Sequence, residues 1–279
     1  MIMKNILFKT LTFVMAAVVM LSCAANGDKP EPSDKANAEV QKKDTLIAIQ
    51  DCSQQMSADL FAGQDDKLLK EILPTGKADA SINVFLLQGE DHTVLFDAGL
   101  GESRSGQLMK KLDSLGISPD KITDICITHF HGDHIGGLLD ANGKAVFPNA
   151  KLYFSDLEYE AWTNGVLKEG NQQVLSMLDA YEGRYSEISD GDTILNGIVV
   201  IVAPGHTPGH TMYDLGDVLV VGDLIHATAL QIEHPEFCAK YDFEPAQATE
   251  TRKSVLEIAR TTHRSLAGMH FPAPHIIKL

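Results

Sequence analysis

Apolar positions fall in short runs separated by polar stretches rich in glycine and proline, the pattern of buried strands mixed with amphipathic helices. Residues 81–87 (SINVFLL) and 93–99 (TVLFDAG) flank QGEDH and predict a hairpin of buried strands. Within residues 105–117, Leu108, Leu112 and Leu115 recur at helical spacing and Gly116 supplies a stop. Residues 124–129 (DICITH) predict a strand that runs straight into a histidine cluster, and a short helix begins at Asp133. Residues 150–155 form another strand, followed by helical stretches over 156–162 and 172–182. Residues 197–206 end a strand in a Pro-Gly turn, and residues 217–226 carry a strand that closes on an aspartate. A long helix over 245–262 and a short strand over 265–271 complete the pattern, with no short-period repeat. Strands in groups with helices between them predict an α/β (α+β) architecture of two mixed β-sheets with helices on their outer faces.

The first residues stand apart. Lys4 and Lys9 precede an apolar run over 11–21 broken only by Thr12. A bilayer-spanning helix needs about 20 apolar residues, so the run predicts an export signal instead. It ends at VMLSCAANGDKP, where Ser22 before Cys23 resembles a bacterial lipobox, although Met20 stands where leucine is commoner. In that pattern Cys23 is lipidated and becomes the first mature residue. One acyl chain holds a protein to a membrane only marginally, and lipoproteins of this type carry several. The alternative is an ordinary cleaved signal with a stray cysteine. Residues 24–44 are polar, charged and free of aromatics, too poor in apolar surface to order themselves. The expected organisation is a lipoprotein signal over 1–22, a flexible tether over 23–44 and one folded domain over 45–279. The protein is then an exported bacterial lipoprotein, membrane-anchored and facing the periplasm or cell surface.

Composition narrows the partners. With 279 residues and 44% apolar side chains the chain can bury a substantial core. The formal net charge of −15 repels nucleic acid phosphates, and no basic stripe offsets it. Of the four cysteines, Cys126 falls in a buried strand, while spacing leaves open whether Cys52 and Cys238 pair.

The sharpest signal is ITHFHGDHIGG, residues 127–137, which sets His129, His131, Asp133 and His134 in the pattern H-x-H-x-D-H. Strand spacing places His129 and His131 on one side, and a helix start at Asp133 favours a carboxylate. Imidazole nitrogen with carboxylate oxygen suits zinc and other first-row divalent cations. Gly136 and Gly137 permit close backbone approach. Three further candidates each end a predicted strand: His206 in APGHTPGH, Asp223 in VVGDLIH and His270 in GMHFPAP. His92, His234, His263 and His275 belong to no such constellation and are expected at the surface.

This combination resembles the metallo-β-lactamase-fold hydrolases over about residues 81–274. GDLIHATALQ, RKSVLEIA and GMHFPAP are similar to the branch of quorum-quenching lactonases and methyl-parathion-type hydrolases. The resemblance implies an αββα sandwich with two metals at the strand ends, zinc first, with manganese, iron or cobalt as alternatives. It implies that His129, His131 and His206 bind one cation, that Asp133, His134 and His270 bind the other, and that Asp223 bridges them. Two close cations lower the pKa of a shared, metal-bridging water to give hydroxide, while Asp133 orients it and accepts a proton. The resemblance also implies that Asp97 supports the site from behind the ligands, and it leaves His210 to packing or similar support. His226 stands where some lactonases place a tyrosine on the substrate carbonyl; it either does that work or supports Asp223. One departure is that the chain runs only to HIIKL after HFPAP, where relatives continue with another strand, so that sheet edge is expected to be missing.

The leading expectation is a dinuclear hydrolase of a small-molecule lactone or ester. β-Lactam hydrolysis, organophosphate triester hydrolysis and a mononuclear-iron persulfide dioxygenase are alternatives, as is a non-enzymatic, lipid-tethered zinc-binding protein. Flavin-dependent diiron relatives carry glutamate where His131 stands, and RNA processing is disfavoured by the acidic surface.

Overall fold

A computed structural model describes residues 44–195 and 197–279. The leader, Cys23 and the tether as far as residue 43 lie outside the described residues. Strands β1 (Thr45–Ser57), β2 (Lys77–Gln88), β3 (Thr93–Phe96), β4 (Asp124–Cys126), β5 (Lys151–Ser155) and β6 (Tyr185–Ile188) form one sheet in that order. Its pairs are antiparallel as far as β3 and parallel beyond it. The second sheet runs β7 (Thr193–Ile194), β8 (Ile198–Val202), β9 (Thr211–Asp214), β10 (Val218–Val220), β11 (Ser265–Ala267) and β12 (Ile276–Lys278). Only β10 and β11 pair in parallel there. The helices are α1 (Asp66–Ile72), α2 (Leu108–Ser114), α3 (Gly132–Ile135), α4 (Asp156–Thr163), α5 (Gln172–Ala180), α6 (Thr228–Gln231) and α7 (Pro245–Thr262).

Strand alternation builds four layers. Phe85, Leu87, Val94, Phe96 and Cys126 of the first sheet meet Ile198, Val200, Tyr213, Val220 and Ala267 of the second between the sheets. The neighbouring positions Val84, Leu86, Leu95 and Ile125 face outward, onto Leu108 and Leu112 of α2 and Val174 and Met177 of α5. On the far side Val255, Leu256 and Ala259 of α7 cover Leu219 and Leu266. Helices α2 and α5 thus cover one outer sheet face and α7 the other, which is the αββα arrangement expected from the strand grouping. The hairpin is formed by β2 and β3, and α7 has the expected limits.

Several expectations need correction. The sheet edge thought missing is present: β12 pairs antiparallel with β11, joining Ser265 to Lys278 and Ala267 to Ile276. Several strands stop short of the predicted runs, because the backbone turns away as soon as it reaches the site. Asp97 already has φ 62°, and β4 ends three residues before His129. Strand β1 was not legible, since its register shifts between Gln50 and Cys52 and breaks the alternation there. Asp51, at that bulge, points inward and accepts from the backbone N–H of Leu100 (2.8 Å) and Leu108 (2.7 Å). Cys52 and Cys238 are both free thiols, as is the buried Cys126.

Candidate metal centre

The loops leaving β3, β4, β8, β10 and β11 carry Asp97, the His129–His134 cluster, His206, Asp223 and His270, respectively. A rigid two-sheet scaffold thus presents side chains from five loops at one rim. The sheets are tied together there: Tyr213 on β9 donates its hydroxyl to Ile127 O (2.7 Å), and Thr211 N–H donates to Thr128 O (2.8 Å). The two glycines after His134 are needed for proximity, because a Cβ on Gly136 or Gly137 would come within 2.3 Å of Leu100 O or 2.1 Å of Ala98 O.

The structure brings every candidate ligand together. One ligand atom each from His129, His131, His206 and Asp223 lies within 4.8 Å of the others, as does one each from Asp133, His134 and His270. His129 Nε2, His131 Nδ1 and His206 Nε2 form a triangle with edges of 2.9, 3.0 and 3.2 Å. Asp223 stands between the groups. Its Oδ1 is 3.1 Å from His134 Nε2, and its Oδ2 is 3.1 Å from His270 Nε2 and 3.3 Å from His206 Nε2. Asp133 Oδ2 is 3.6 Å from His270 Nε2 and 3.8 Å from His134 Nε2.

The opposite side of each ring fixes its tautomer. His134 Nδ1–H donates to Asp97 Oδ2 (2.7 Å), His206 Nδ1–H to Asp242 Oδ1 (3.0 Å) and His270 Nδ1–H to Ser81 O (2.9 Å). Thr128 gives its hydroxyl hydrogen to Asp97 Oδ2 (2.8 Å), so its oxygen accepts from His129 Nδ1–H (3.1 Å). Four Nε2 lone pairs are therefore turned toward one another and toward a carboxylate. In a buried site such acceptors must be satisfied by positive charge, either protons on the rings or a metal ion. The same mismatch appears as buried atoms without a hydrogen-bond partner: His134 Nε2, Asp223 Oδ1 and both ring nitrogens of His226. The donor set, imidazole nitrogen and carboxylate oxygen, fits a divalent cation.

Electrostatics express the same demand. Burial pushes the His134 imidazole down, but Asp223, Asp97 and Asp133 outweigh it and hold it well above its ordinary value. His206 behaves alike and is carried to about 9 by Asp223 and Asp242. His131 is pushed to about 3 by burial and by the neighbouring His206, which keeps its lone pair free at neutral pH.

Asp97 lies behind His134, its Oδ1 accepting Thr128 N–H at 2.7 Å. His210 is a packing support, donating Nδ1–H to Ala203 O (3.0 Å) and accepting Asp223 N–H at Nε2 (3.0 Å). Gly222 leaves room for it, since a Cβ there would be 2.4 Å from His210 Nε2. His226 is buried, stacked on His270 at 5.3 Å between centroids, with Nε2 3.4 Å from Asp223 Oδ2. His92 is anchored rather than free at the surface, its ring bonded to buried Asp124 at 2.7 Å.

Sequence reasoning missed Thr128, Asp242, Arg252 and Glu158. The buried Glu158 carboxylate accepts from Phe130 N–H (2.9 Å), Trp162 Nε1–H (2.7 Å), Thr207 hydroxyl (2.7 Å) and Gly209 N–H (3.1 Å). It thereby joins the His129–His131 loop to the His206 loop. No spacing along the chain marks a contact of that kind. A cavity of about 600 Å3 opens over the centre, lined by Gln54, Met56, Leu60 and Tyr241 together with His131, Asp133, Asp223 and His270.

Comparison with known proteins agrees with this geometry. The dizinc quorum-quenching lactonase AidC, solved with an acyl-homoserine product, superposes with a TM-score of 0.76 at 28% identity, covering 84% of this chain and 90% of that one. The hydrolase AbOPH superposes with a TM-score of 0.76 at 29% identity, covering 85% and 90%. Metallo-beta-lactamase domain-containing protein 1 of Xenopus laevis is 28% identical over 193 residues, 66% of this chain and 68% of that protein. The chain spans about half to two thirds of the length of the first curated relatives it matches. Residues 79–263 match the profile of the Metallo-beta-lactamase superfamily; with its two flanked sheets and its divalent-metal donor set, the chain belongs to that superfamily.

Proposed function

We propose that this protein is a metal-dependent hydrolase that opens a lactone or ester bond of a small molecule at a centre of two divalent cations, zinc in the first instance. The observation that carries the reading is the convergence of four Nε2 lone pairs on Asp223. His129, His131 and His206 hold one cation, Asp133, His134 and His270 the other, and Asp223 lies between. When bound, such a pair supplies a water of lowered pKa and a Lewis acid for the electrophile's oxygen. The chain's own residues do the rest. Asp133, whose side chain is 30% exposed at the cavity, orients the attacking water and takes its proton. His226, with both ring nitrogens unpartnered, donates to the substrate carbonyl or braces Asp223. The likeness to a lactonase supports a lactone or ester. Among the described residues that line the cavity none is Lys or Arg, which favours a neutral substrate over a carboxylated β-lactam. The lipid anchor at Cys23 and the exported location rest on the leader and lipobox pattern alone.

The test is proton release from zinc- or manganese-loaded protein offered lactones, simple esters, a β-lactam and an organophosphate triester. Lactone or ester turnover well above the others supports the reading. A β-lactam preference, or silence across the panel with metal bound, overturns it.

A further inference from the structure

Arg252 is only 1% exposed and stands on α7, whose other buried positions are Ala248, Val255, Leu256 and Ala259. A leucine or methionine would fill such a place without the cost of burying a charge. The guanidinium uses all three of its nitrogens. Nε donates to Leu224 O (2.7 Å), Nη1 to Pro235 O (2.7 Å) and Phe237 O (3.1 Å), and Nη2 to Asp242 Oδ2 (3.1 Å). Leu224 directly follows Asp223. The second oxygen of Asp242 accepts from His206. One side chain therefore grips the backbone beside one member of the centre and, through a carboxylate, the ring of another. Between those grips runs the segment 225–241, which carries Tyr241 at the cavity and the buried His226, whose ring lies 5.9 Å from that of Tyr241.

We propose that Arg252 is a positioning residue for the metal centre: through Asp242 it fixes the His206 ring, and through Leu224 O it fixes Asp223, pinning segment 225–241 against the site. The proposal rests on the reading that His206 and Asp223 hold metal. A planar fork with five N–H donors suits this task, and a lysine ammonium, with a single nitrogen, cannot reach all four acceptors. Because Asp242 stands behind a ligand, the coupling is expressed in metal affinity first.

The experiment measures zinc affinity of the stripped full-length protein by competition with a chromophoric chelator, for wild type, Arg252→Lys, Asp242→Asn and the double variant, with Tm of each stripped protein alongside. Each single variant is expected to bind zinc about 10- to 100-fold more weakly. The double variant is expected to lose less than the product of the two losses, because both act through His206. Wild-type zinc affinity in the single variants overturns the proposal. So does a lowered Tm of the stripped protein with zinc affinity unchanged, which is the mark of a packing role. A wild-type protein that takes up no zinc removes the metal centre itself and is distinguishable from both. Should the variants not fold, hydrogen exchange on the wild type decides. Zinc must slow exchange in 225–241 more than in α5, and equal protection overturns the proposal.

Discussion

Replacing Asp97 with Asn tests the tautomer argument with little change of shape. Asp97 adopts φ 62°, a left-handed conformation that Asn tolerates, so the backbone is preserved. Thr128 N–H requires an acceptor and keeps the amide oxygen at the Oδ1 position. The new NH2 group then faces Thr128 Oγ1 and His134 Nδ1, where the carboxylate oxygen stood at 2.8 and 2.7 Å. Two donors cannot face each other, so His134 moves its proton to Nε2, which points at Asp223 Oδ1, 3.1 Å away. That nitrogen is thereby lost to a cation. Loss of such a supporting carboxylate weakens metal binding about 10- to 100-fold, or about 1.4 to 2.7 kcal/mol. The assay is zinc competition with a chromophoric chelator, paired with thermal melts with and without zinc. Asp97→Asn should lower the zinc-bound Tm by more than it lowers the stripped Tm. Undiminished zinc affinity would refute the assignment of the His134 lone pair to a metal.

Other consequences are as definite. Glu158→Ala strands three donors from two ligand loops and the Trp162 indole N–H of its own helix; at about 1–3 kcal/mol each, the variant should lose at least about 4 kcal/mol in denaturant unfolding, and a loss under about 1 kcal/mol would contradict its role. In the metal-free protein His206 titrates at about 9, above an unfolded value of about 6.5. Its proton therefore stabilises the metal-free fold fully below about pH 6.5, and that contribution fades as pH rises toward 9. Zinc competes for the same nitrogen, so the rise in Tm that zinc produces should grow from pH 6 to pH 9; a flat or falling profile would speak against it. On the proposal that Cys23 is lipidated, Cys23→Ala should release the protein from membranes, and unchanged retention would remove the lipid anchor.

The extent to which the site was legible follows from where its parts sit along the chain. His129, His131, Asp133 and His134 announce themselves because one loop carries all four, and His206, Asp223 and His270 because each ends an apolar run. Thr128, Glu158, Asp242 and Arg252 act only through contacts across loops. Glu158 serves residues as far apart as Phe130 and Gly209, a relation that only the folded sheets create. The fold class followed from alternation where alternation is intact, as in β2 and β3. It failed at β1, where a bulge turns a polar residue inward, and at β12, whose three residues depend on β11 for their pairing.

The most direct measurement is a zinc titration of stripped protein with ring-opening of a lactone followed at each addition. Two tightly bound equivalents per chain, with turnover appearing as they fill and both lost in Asp223→Ala, is the predicted result. Equal turnover in the stripped protein, or an Asp223→Ala variant that holds two zinc ions at the normal rate, would contradict the account.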